Sequence, residues 1–228
     1  YGLKLYHAHY SQFSDGKLEK AWFYSGKKWE KKEDISIEGV YDKFVIDEEK
    51  KEIRKEIESS ITLINDLELQ KITADKLQTY RELKNQSKET RKASEDNVEE
   101  MLQEYDSVLI KPRFGSGGEG IEIIRDASEY RPSEEVEEIV QAFIEPGSLP
   151  ELGVEGPHDL RVFIINGEIR SCYIRQPEEG LLSNVNLGGS TEYIDVDEIP
   201  EKALEKSKEI DRALANISPR IYSIDQMK

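Results

Sequence analysis

The residues with the most distinctive chemistry lie at positions 108–123, in the sequence VLIKPRFGSGGEGIEI. Four glycines surround Ser116, and backbone N–H groups at glycine can approach an oxyanion because no side chain keeps it away. Lys111 adds a compact positive charge beside them. This combination suits the binding of phosphate groups, although a plain surface hairpin with a glycine-rich tip has the same composition.

Apolar residues on each side of these glycines predict two strands joined by a turn. Residues 108–110 form a β-prone run before the glycines, and residues 121–124 form another after them. A dinucleotide fingerprint or a Walker loop needs a helix directly after the glycines, whose N-terminal N–H groups hold the phosphate. No helical pattern follows here. The sequence therefore predicts a flexible hairpin flap.

The composition indicates a polar, strongly acidic protein. Of the 228 residues, 36% are hydrophobic and 35% are charged, and the net charge is −16, so most of the surface would repel a nucleic-acid backbone. No apolar run is long enough to span a membrane, and no signal-peptide pattern is present. The single cysteine, Cys172, excludes an internal disulfide. We therefore expect a cytoplasmic protein without a nucleic-acid or membrane partner.

Residues 1–70 are expected to form a small α/β domain. His7 and His9 would share one face of a strand, but without a third ligand nearby in the sequence we do not expect them to bind a metal. The aromatic residues 22–24 and Trp29 are expected to pack at a subdomain interface. Strands are predicted at residues 3–10, 20–26 and 39–45, and a helix with an exposed charged face is predicted at residues 48–60.

The remaining elements follow from periodicity and turn residues. One helix should begin near Thr73, with Asp75 in its first turn and Lys76 projecting outward. Residues 85–98 should form a polar loop that leads into a helix ending near Tyr105. Further predictions are a short acidic helix at 133–138, a strand from 138 that Pro146 and Gly147 stop, a glycine-containing turn at 184–189, a helix at 200–215 and a strand at 220–228.

A hairpin around Asn166-Gly167 is the clearest tertiary signal in the sequence. This dipeptide joins two apolar runs at residues 160–165 and 168–174. Asp159 and Arg161 alternate with apolar residues at the entrance, so both should point to one side. Arg175 lies at the exit of the hairpin.

Five separated motifs resemble, in their order, those of the ATP-grasp ligases, especially the branch that contains glutathione synthetase and the ribosomal-protein glutamate ligases. The motifs are IKPRFGSGGEGI, VQAFI, HDLRVFIINGEIRSCYIR, LLSNVNLGGS and YSID. The resemblance extends from about residue 72 to the last residue. It implies an α+β fold in which two α+β subdomains, residues 71–145 and 146–228, sandwich the nucleotide after the small N-terminal domain.

The resemblance also implies a binding site for ATP. Lys76 and Lys111 would contact the phosphates, and the backbone of residues 141–144 would form a hinge that binds the adenine. The full set of implied nucleotide-binding residues is Lys76, Lys111, Ser116, Gly117, Gly118, Gln141, Ala142, Phe143, Ile144, Asp159, Arg161, Ser183 and Asn184.

The implied reaction joins a carboxylate to an amine through an acyl phosphate. Arg175 and Lys111 would be the catalytic residues that neutralise charge during phosphoryl transfer. Asp225 would be the first of three Mg²⁺ ligands. The other two, a Glu and an Asn, normally follow about a dozen residues later, so we expect them beyond Lys228.

Three hypotheses stay open at this point. The first is a ligase that acts on an amino acid, peptide or protein carboxylate, with peptide macrocyclases included because they share these motifs. The second is a nucleotide-binding module without ligase activity, and the third is a plain α/β interaction protein. Leu181-Leu182 stands where a glutamate ligase usually has an arginine, and Ala142 replaces an acid common in the hinge. The identity of the substrate is therefore not predicted.

Overall fold

The computed structural model describes residues 3–43, 48–178 and 189–227, without the side chains of residues 48 and 49. The chain divides into two compact units, Tyr1–Asp66 and Leu67–Lys228. Within the described ranges, no helix combines the length and apolar character needed to cross a membrane.

The first unit contains an antiparallel sheet and a parallel strand pair. Strands β1 (Tyr6–His7), β2 (Phe13–Ser14) and β4 (Trp29–Ser36) all pair with β3 (Lys17–Tyr24). Strand β5 (Gly39–Tyr41) pairs in parallel with β6 (Thr62–Ile64), and helix α1 (Glu48–Ser60) connects them. The core residues are Phe13, Leu18, Ala21, Ile57 and Leu63.

Two expectations for this unit need correction. Strand β4 was not predicted, because its sequence is mostly charged. Trp22, Tyr24 and Trp29 are about half exposed on the β3–β4 hairpin, and their packing at a subdomain interface stays a prediction. Helix α1 has the predicted bounds, yet Arg54 within its charged run is buried and donates a hydrogen bond to the carboxylate of Asp42.

The first layer of the second unit is an antiparallel sheet of four strands. They are β7 (Thr90–Lys92), β8 (Val108–Pro112), β9 (Glu122–Ile124) and β10 (Glu138–Ala142), in the spatial order β7-β10-β8-β9. Helix α4 (Glu95–Glu104) covers one face, where apolar side chains such as Val98, Met101 and Val140 exclude water. The opposite face carries both apolar residues, such as Ile139 and Leu109, and polar residues, such as Lys111 and Gln141.

The second layer is another antiparallel sheet of four strands. It consists of β11 (Asp159–Ile165), β12 (Glu168–Gln176), β13 (Ser190–Ile194) and β14 (Ile221–Gln226), in the order β13-β12-β11-β14. Helices α5 (Glu201–Ala213) and α2 (Leu67–Ala74) contribute to its core. The turn at Asn166-Gly167 has φ values of 45° and 90°. Positive φ values at both central residues are what the tight hairpin turn predicted from Asn-Gly requires.

The helix expected from about Thr73 begins at Lys76, and a second helix that the sequence did not predict precedes it. Helix α2 ends at Ala74, and helix α3 (Lys76–Glu82) follows after one extended residue, Asp75. The carboxylate of Asp75 accepts hydrogen bonds from the backbone N–H groups of Leu77 and Gln78. This cap supplies acceptors for N–H groups that have no partner within the helix, and it therefore starts a new helix at this point.

Two further predictions in the second unit are wrong. Residues 133–138 form bends rather than a helix, because strand β10 begins at Glu138 and leaves too few residues for a stable helix. The polar loop at residues 85–98 contains strand β7, which pairs with β10. Strand β10 ends at Ala142, before Pro146 and Gly147, which were predicted to stop it.

Candidate nucleotide site

The glycine-rich stretch is a turn between two paired strands, as its sequence predicts. Val108 lies opposite Ile124 in the antiparallel pair of β8 and β9, and no helix follows the glycines. Gly115 and Gly117 have φ values of 89° and 98°, and a Cβ at either position would meet no atom within 4 Å. A side chain at either position would therefore meet no obstruction, and it is the positive φ angles that favour glycine.

Lys111 lies on the sheet face opposite helix α4. Its neighbour Ile110 points into the core under α4, so alternation along β8 directs Lys111 the other way. The Lys111 ammonium donates a hydrogen bond of 2.7 Å to Oε1 of Gln141. Burial, and then the charge of nearby Lys76, lowers the pKa of Lys111 to about 8. No described carboxylate is among the groups that shift it.

Lys76 contacts the start of the glycine turn. Its ammonium donates hydrogen bonds to the carbonyl oxygens of Gly115, at 2.8 Å, and Arg113, at 3.4 Å. Burial lowers its pKa as well. The outward-projecting lysine expected from the helical pattern is therefore an internal contact of the site. Lys76 and Lys111 together place two positive charges beside the glycine turn, an arrangement that fits a polyphosphate.

Asp75 and Arg113 join helix α3 to the strand that leads into the glycines. The guanidinium of Arg113 donates to both carboxylate oxygens of Asp75, at 2.9 and 2.6 Å. This pairing, more than any other contact, lowers the pKa of the Asp75 carboxyl. Bidentate pairs fix orientation as well as distance, so α3 and its Lys76 are held in register with the turn. Neither residue of this pair was singled out as functional from the sequence.

A second cluster of charges spans strands β12, β11 and β14. Arg175 lies opposite Asp159, and Arg161 lies opposite Asp225, in the cross-strand register. Arg175 donates two hydrogen bonds of 2.8 Å to Asp159 and one of 2.9 Å to Asp225. Arg161 donates two hydrogen bonds of 2.5 Å to Asp225. The structure thus brings together four residues that the sequence predicted for the site.

The charges in this second cluster balance each other, two guanidinium groups against two carboxylates. Burial is the largest cause that raises the pKa of Asp159, and the charge of Asp225 adds to it, while Arg175 opposes both. The hydrogen bonds to Asp225 raise the pKa of Arg161. Unlike Lys111, these cations are already neutralised in the protein.

A family model described as an ATP-grasp domain matches residues 73–218 of this chain. The chain belongs to the ATP-grasp family. A relative is the tetrahydromethanopterin:alpha-L-glutamate ligase of Methanocaldococcus jannaschii, 28% identical over 117 residues that cover 47% of this chain. The match spans only 38% of that relative's length. The resemblance inferred from the five motifs is confirmed.

Solved structures support the same fold for this ATP-grasp chain. D-alanyl-alanine synthetase A from Vibrio cholerae is similar with a TM-score of 0.58 and 14% identity, over 97% of this chain and 68% of that one. The ATP-grasp ligase PsnB, complexed with minimal precursor, Mg and ADP, is similar with a TM-score of 0.55 and 13% identity, over 95% and 73% of the two chains. The predicted α+β ATP-grasp fold is confirmed.

The described residues of the ATP-grasp chain do not form a complete magnesium site. Both carboxylate oxygens of Asp225 accept hydrogen bonds from guanidinium groups. Within the described ranges, no group of three or more His, Cys, Asp and Glu side chains is placed to hold a metal, and this includes His7 and His9. Asp225 as a metal ligand stays a prediction, since a cation there would have to displace arginine.

The expected adenine hinge of the ATP-grasp chain is only partly a strand. The N–H groups of Ala142 and Phe143 donate to the carbonyls of Glu89 and Ser107, at 2.9 and 3.3 Å, so they are not free for a base edge. Phe143 lines a cavity of about 480 Å³, and a second cavity of about 750 Å³ lies beside helix α5. Neither is lined by Lys76 or Lys111. The hinge role of residues 141–144 stays a prediction.

Two predicted residues, Ser183 and Asn184, lie outside the described residues. The flap residues Ser116, Gly117 and Gly118 are described, and Ser116 is exposed at the tip of the turn. A feature that the sequence did not reveal is the polar link from Lys111 through Gln141 to Thr90 on β7.

Proposed function

We propose that this chain is the ATP-binding part of a carboxylate–amine ligase, which forms an amide bond through an acyl phosphate. The observation that carries the proposal is Lys111, a largely buried ammonium with no described carboxylate to neutralise it, beside the glycine turn. A buried, uncompensated cation is unfavourable in the free protein and favourable once an anion binds. The relative from Methanocaldococcus jannaschii is named as a ligase, which supports the same reaction class.

The proposed reaction has two steps. A carboxylate oxygen of the substrate attacks the γ-phosphorus of ATP, the bond to the β,γ-bridging oxygen breaks, and ADP leaves. The amine nitrogen then attacks the acyl carbon, phosphate leaves, and the nitrogen loses a proton to form the amide. The phosphoryl step depends mainly on positioning and on neutralising the equatorial oxygens.

Residues of this chain divide these tasks between the two clusters. Lys111 and Lys76 bind the phosphates, and the glycine flap closes over them so that water does not hydrolyse the acyl phosphate. Arg175 uses Nε and Nη2 to hold Asp159 and Asp225, which leaves Nη1 as the donor for the phosphoryl group. In this proposal Mg²⁺ binds together with ATP, and Asp225 is the candidate protein ligand for it.

The proposed substrates are a carboxylate of an amino acid, a peptide or another small molecule, together with an amine acceptor. PsnB, one of the structural neighbours, is complexed with its precursor, and D-alanyl-alanine synthetase A is named for a dipeptide product. Both names are consistent with amide-bond formation on amino acids or peptides. No described residue of this chain selects among these classes.

A second candidate is a nucleotide-binding module without ligase activity. The engagement of both oxygens of Asp225 by Arg161 and Arg175 favours it, because the metal site is then incomplete. The two candidates differ in catalysis and share nucleotide binding. They can therefore be separated by measuring both properties on one protein.

The test combines calorimetric titration of ATP, with and without Mg²⁺, and an ADP-release screen against amino acids and short peptides. Binding together with substrate-dependent ADP release supports the ligase, whereas binding alone supports the module. Lys111→Met should abolish binding, and Lys202→Met is the matched control, because Lys202 is an exposed lysine of helix α5. Undetectable ATP binding by the wild-type protein would rule out both candidates.

A further inference from the structure

A hydrogen-bonded chain of polar groups crosses three strands of the first sheet. Lys111 Nζ donates to Gln141 Oε1 at 2.7 Å, and Gln141 Nε2 donates to Thr90 Oγ1 at 2.7 Å. The hydroxyl of Thr90 donates in turn to the carbonyl of Lys88 at 2.9 Å. Lys111, Gln141 and Thr90 belong to β8, β10 and β7, which are adjacent in the sheet. This series of hydrogen bonds therefore forms because the three strands are neighbours in the sheet, although its residues are far apart in the sequence.

The direction of these hydrogen bonds fixes the orientation of the Gln141 amide. Thr90 Oγ1 has one hydrogen, which it gives to the carbonyl of Lys88, so toward Gln141 it can only accept. The amide must therefore turn its NH₂ group to Thr90 and its oxygen to Lys111. Thr90 is 2% exposed, so water does not compete for this arrangement.

The partner of Lys111 is a neutral amide where a carboxylate of the same shape would also fit. A glutamate would neutralise the ammonium, whereas glutamine accepts its hydrogen bond and leaves its charge intact. The other charged group that acts on Lys111 is the cation Lys76, from helix α3. The side chains of Gln141 on β10 and Thr90 on β7, which continue the hydrogen bonds from Lys111, are both neutral.

We infer that Gln141, oriented by Thr90, is a positioning residue that directs the Lys111 ammonium and preserves its charge for an anionic ligand. This inference rests on the proposed function for its ligand, the phosphates of ATP. It assigns to the side chain of Gln141 a role separate from the hinge role expected of its backbone. It also makes strand β7 part of the nucleotide site, although β7 carries none of the sequence motifs.

The first experiment measures the titration of Lys111 directly, without nucleotide. Free protein is labelled with a trace of acetic anhydride at pH values from 7 to 10, and acetylation of the Lys111 peptide is followed by mass spectrometry. In Gln141→Glu the new carboxylate should hold the proton on Lys111 and slow its labelling at pH 8 about tenfold. Gln103→Glu, which adds the same charge on an exposed position of helix α4, should leave the labelling rate unchanged.

The second experiment measures ATP affinity by calorimetry in four variants. We expect binding about tenfold weaker in Gln141→Glu and in Gln141→Met, because the first neutralises the ammonium and the second no longer directs it. Thr90→Val should weaken binding about threefold, because the amide is then free to turn its NH₂ group toward Lys111. Thr90→Ser keeps the hydroxyl and should restore wild-type affinity, which a role in packing alone would not explain.

The outcomes separate this inference from the proposed function. If Gln141→Glu and Gln103→Glu label Lys111 at the same rate, Gln141 does not act on Lys111 and the inference is overturned. Unchanged ATP affinity in both Gln141→Met and Thr90→Val overturns it as well. If wild-type protein binds no ATP while Gln141→Glu slows the labelling, the proposed function fails and the Gln141–Lys111 coupling stands. Thermal unfolding of each variant shows whether the fold is retained.

Discussion

Replacing Lys111 with methionine should make the protein more stable while it loses nucleotide binding. The pKa of Lys111 falls from 10.5 to about 8 in the folded protein, a difference of about 2.5 units. Each unit corresponds to 1.36 kcal/mol, so the buried charge costs about 3 kcal/mol at neutral pH. Methionine has a similar length, no charge and enough flexibility to fill the site.

The lost hydrogen bond to Gln141 reduces this gain. Leaving Oε1 of Gln141 without its donor costs about 1 kcal/mol, so the net stabilisation at pH 7 is about 2 kcal/mol. For a chain of this size that corresponds to an increase in Tm of about 5 °C. The predicted sign is opposite to that of most substitutions at buried positions, which destabilise.

The pH dependence has a sign that follows from linkage. The unfolded chain holds the proton on Lys111 more tightly than the folded chain, so the penalty is fully present below the folded pKa of about 8. It decreases as the pH rises toward the unfolded value of 10.5, and at pH 10 it is about 1 kcal/mol. The advantage of methionine should therefore vanish near pH 10.

The assay is urea unfolding of the wild type and the variant at pH 7 and pH 10, followed by circular dichroism. Lys92→Met provides the matched control, because Lys92 is exposed and its replacement should change stability by less than about 0.5 kcal/mol. A Lys111→Met protein that is less stable than wild type at pH 7 would refute the reasoning. The same holds for a gain that is equally large at pH 10.

Three further predictions concern single contacts. ATP binding at pH 8 should take up about half a proton through Lys111, and ATP affinity should fall about tenfold from pH 7 to pH 9. The proton uptake is measured by calorimetry in buffers of different ionisation enthalpy, and an equal heat of ATP binding in all buffers would contradict it. Asp75→Asn keeps the helix cap but loses the ion pair with Arg113, so thermal unfolding should show a loss of about 1–2 kcal/mol, and calorimetry should show ATP binding weaker by about fivefold. Arg54→Met should destabilise the first unit by about 3–5 kcal/mol, because the buried carboxylate of Asp42 loses the guanidinium of Arg54. Amide hydrogen exchange in the first unit should then be faster, and an unchanged exchange rate would contradict the prediction.

Local patterns in the sequence were sufficient to predict several elements. The hairpin at Asn166-Gly167 and the strand–turn–strand at the glycines depend on turn residues a few positions apart. Helix α1 has the predicted bounds, and helix α4 ends beside the predicted Tyr105. In each of these cases the residues that determine the structure are neighbours in the chain.

Long-range pairing explains most of what the sequence could not predict. Asp75 and Arg113 are separated by 38 positions, and Gln141 and Thr90 by 51. Strand β7 is only three residues long and has no apolar alternation, so it is recognisable only through its pairing with β10. The residue types of the site were visible in the sequence, but their partners depend on a strand order that does not follow the chain.

Two differences in the helices have separate causes. The acidic residues at positions 133–138 favour a helix, but strand β10 begins at Glu138 and leaves too few residues for a stable one. Asp75 caps helix α3 and separates it from helix α2, which the sequence did not predict. Periodicity alone does not show where such a cap divides two helices.

The two charged clusters differ in a way that suggests an order of events. A polyphosphate gains most where positive charge is not yet neutralised, which is at Lys111 and Lys76 rather than among the paired arginines. The arginines on β11 and β12 are held by carboxylates, so their affinity for the free nucleotide should be small. We therefore expect the lysines to determine ATP affinity and Arg175 to affect the rate of phosphoryl transfer. Arg175→Met should accordingly lower kcat for ADP release with little change in ATP affinity, and a large loss of affinity would contradict this division.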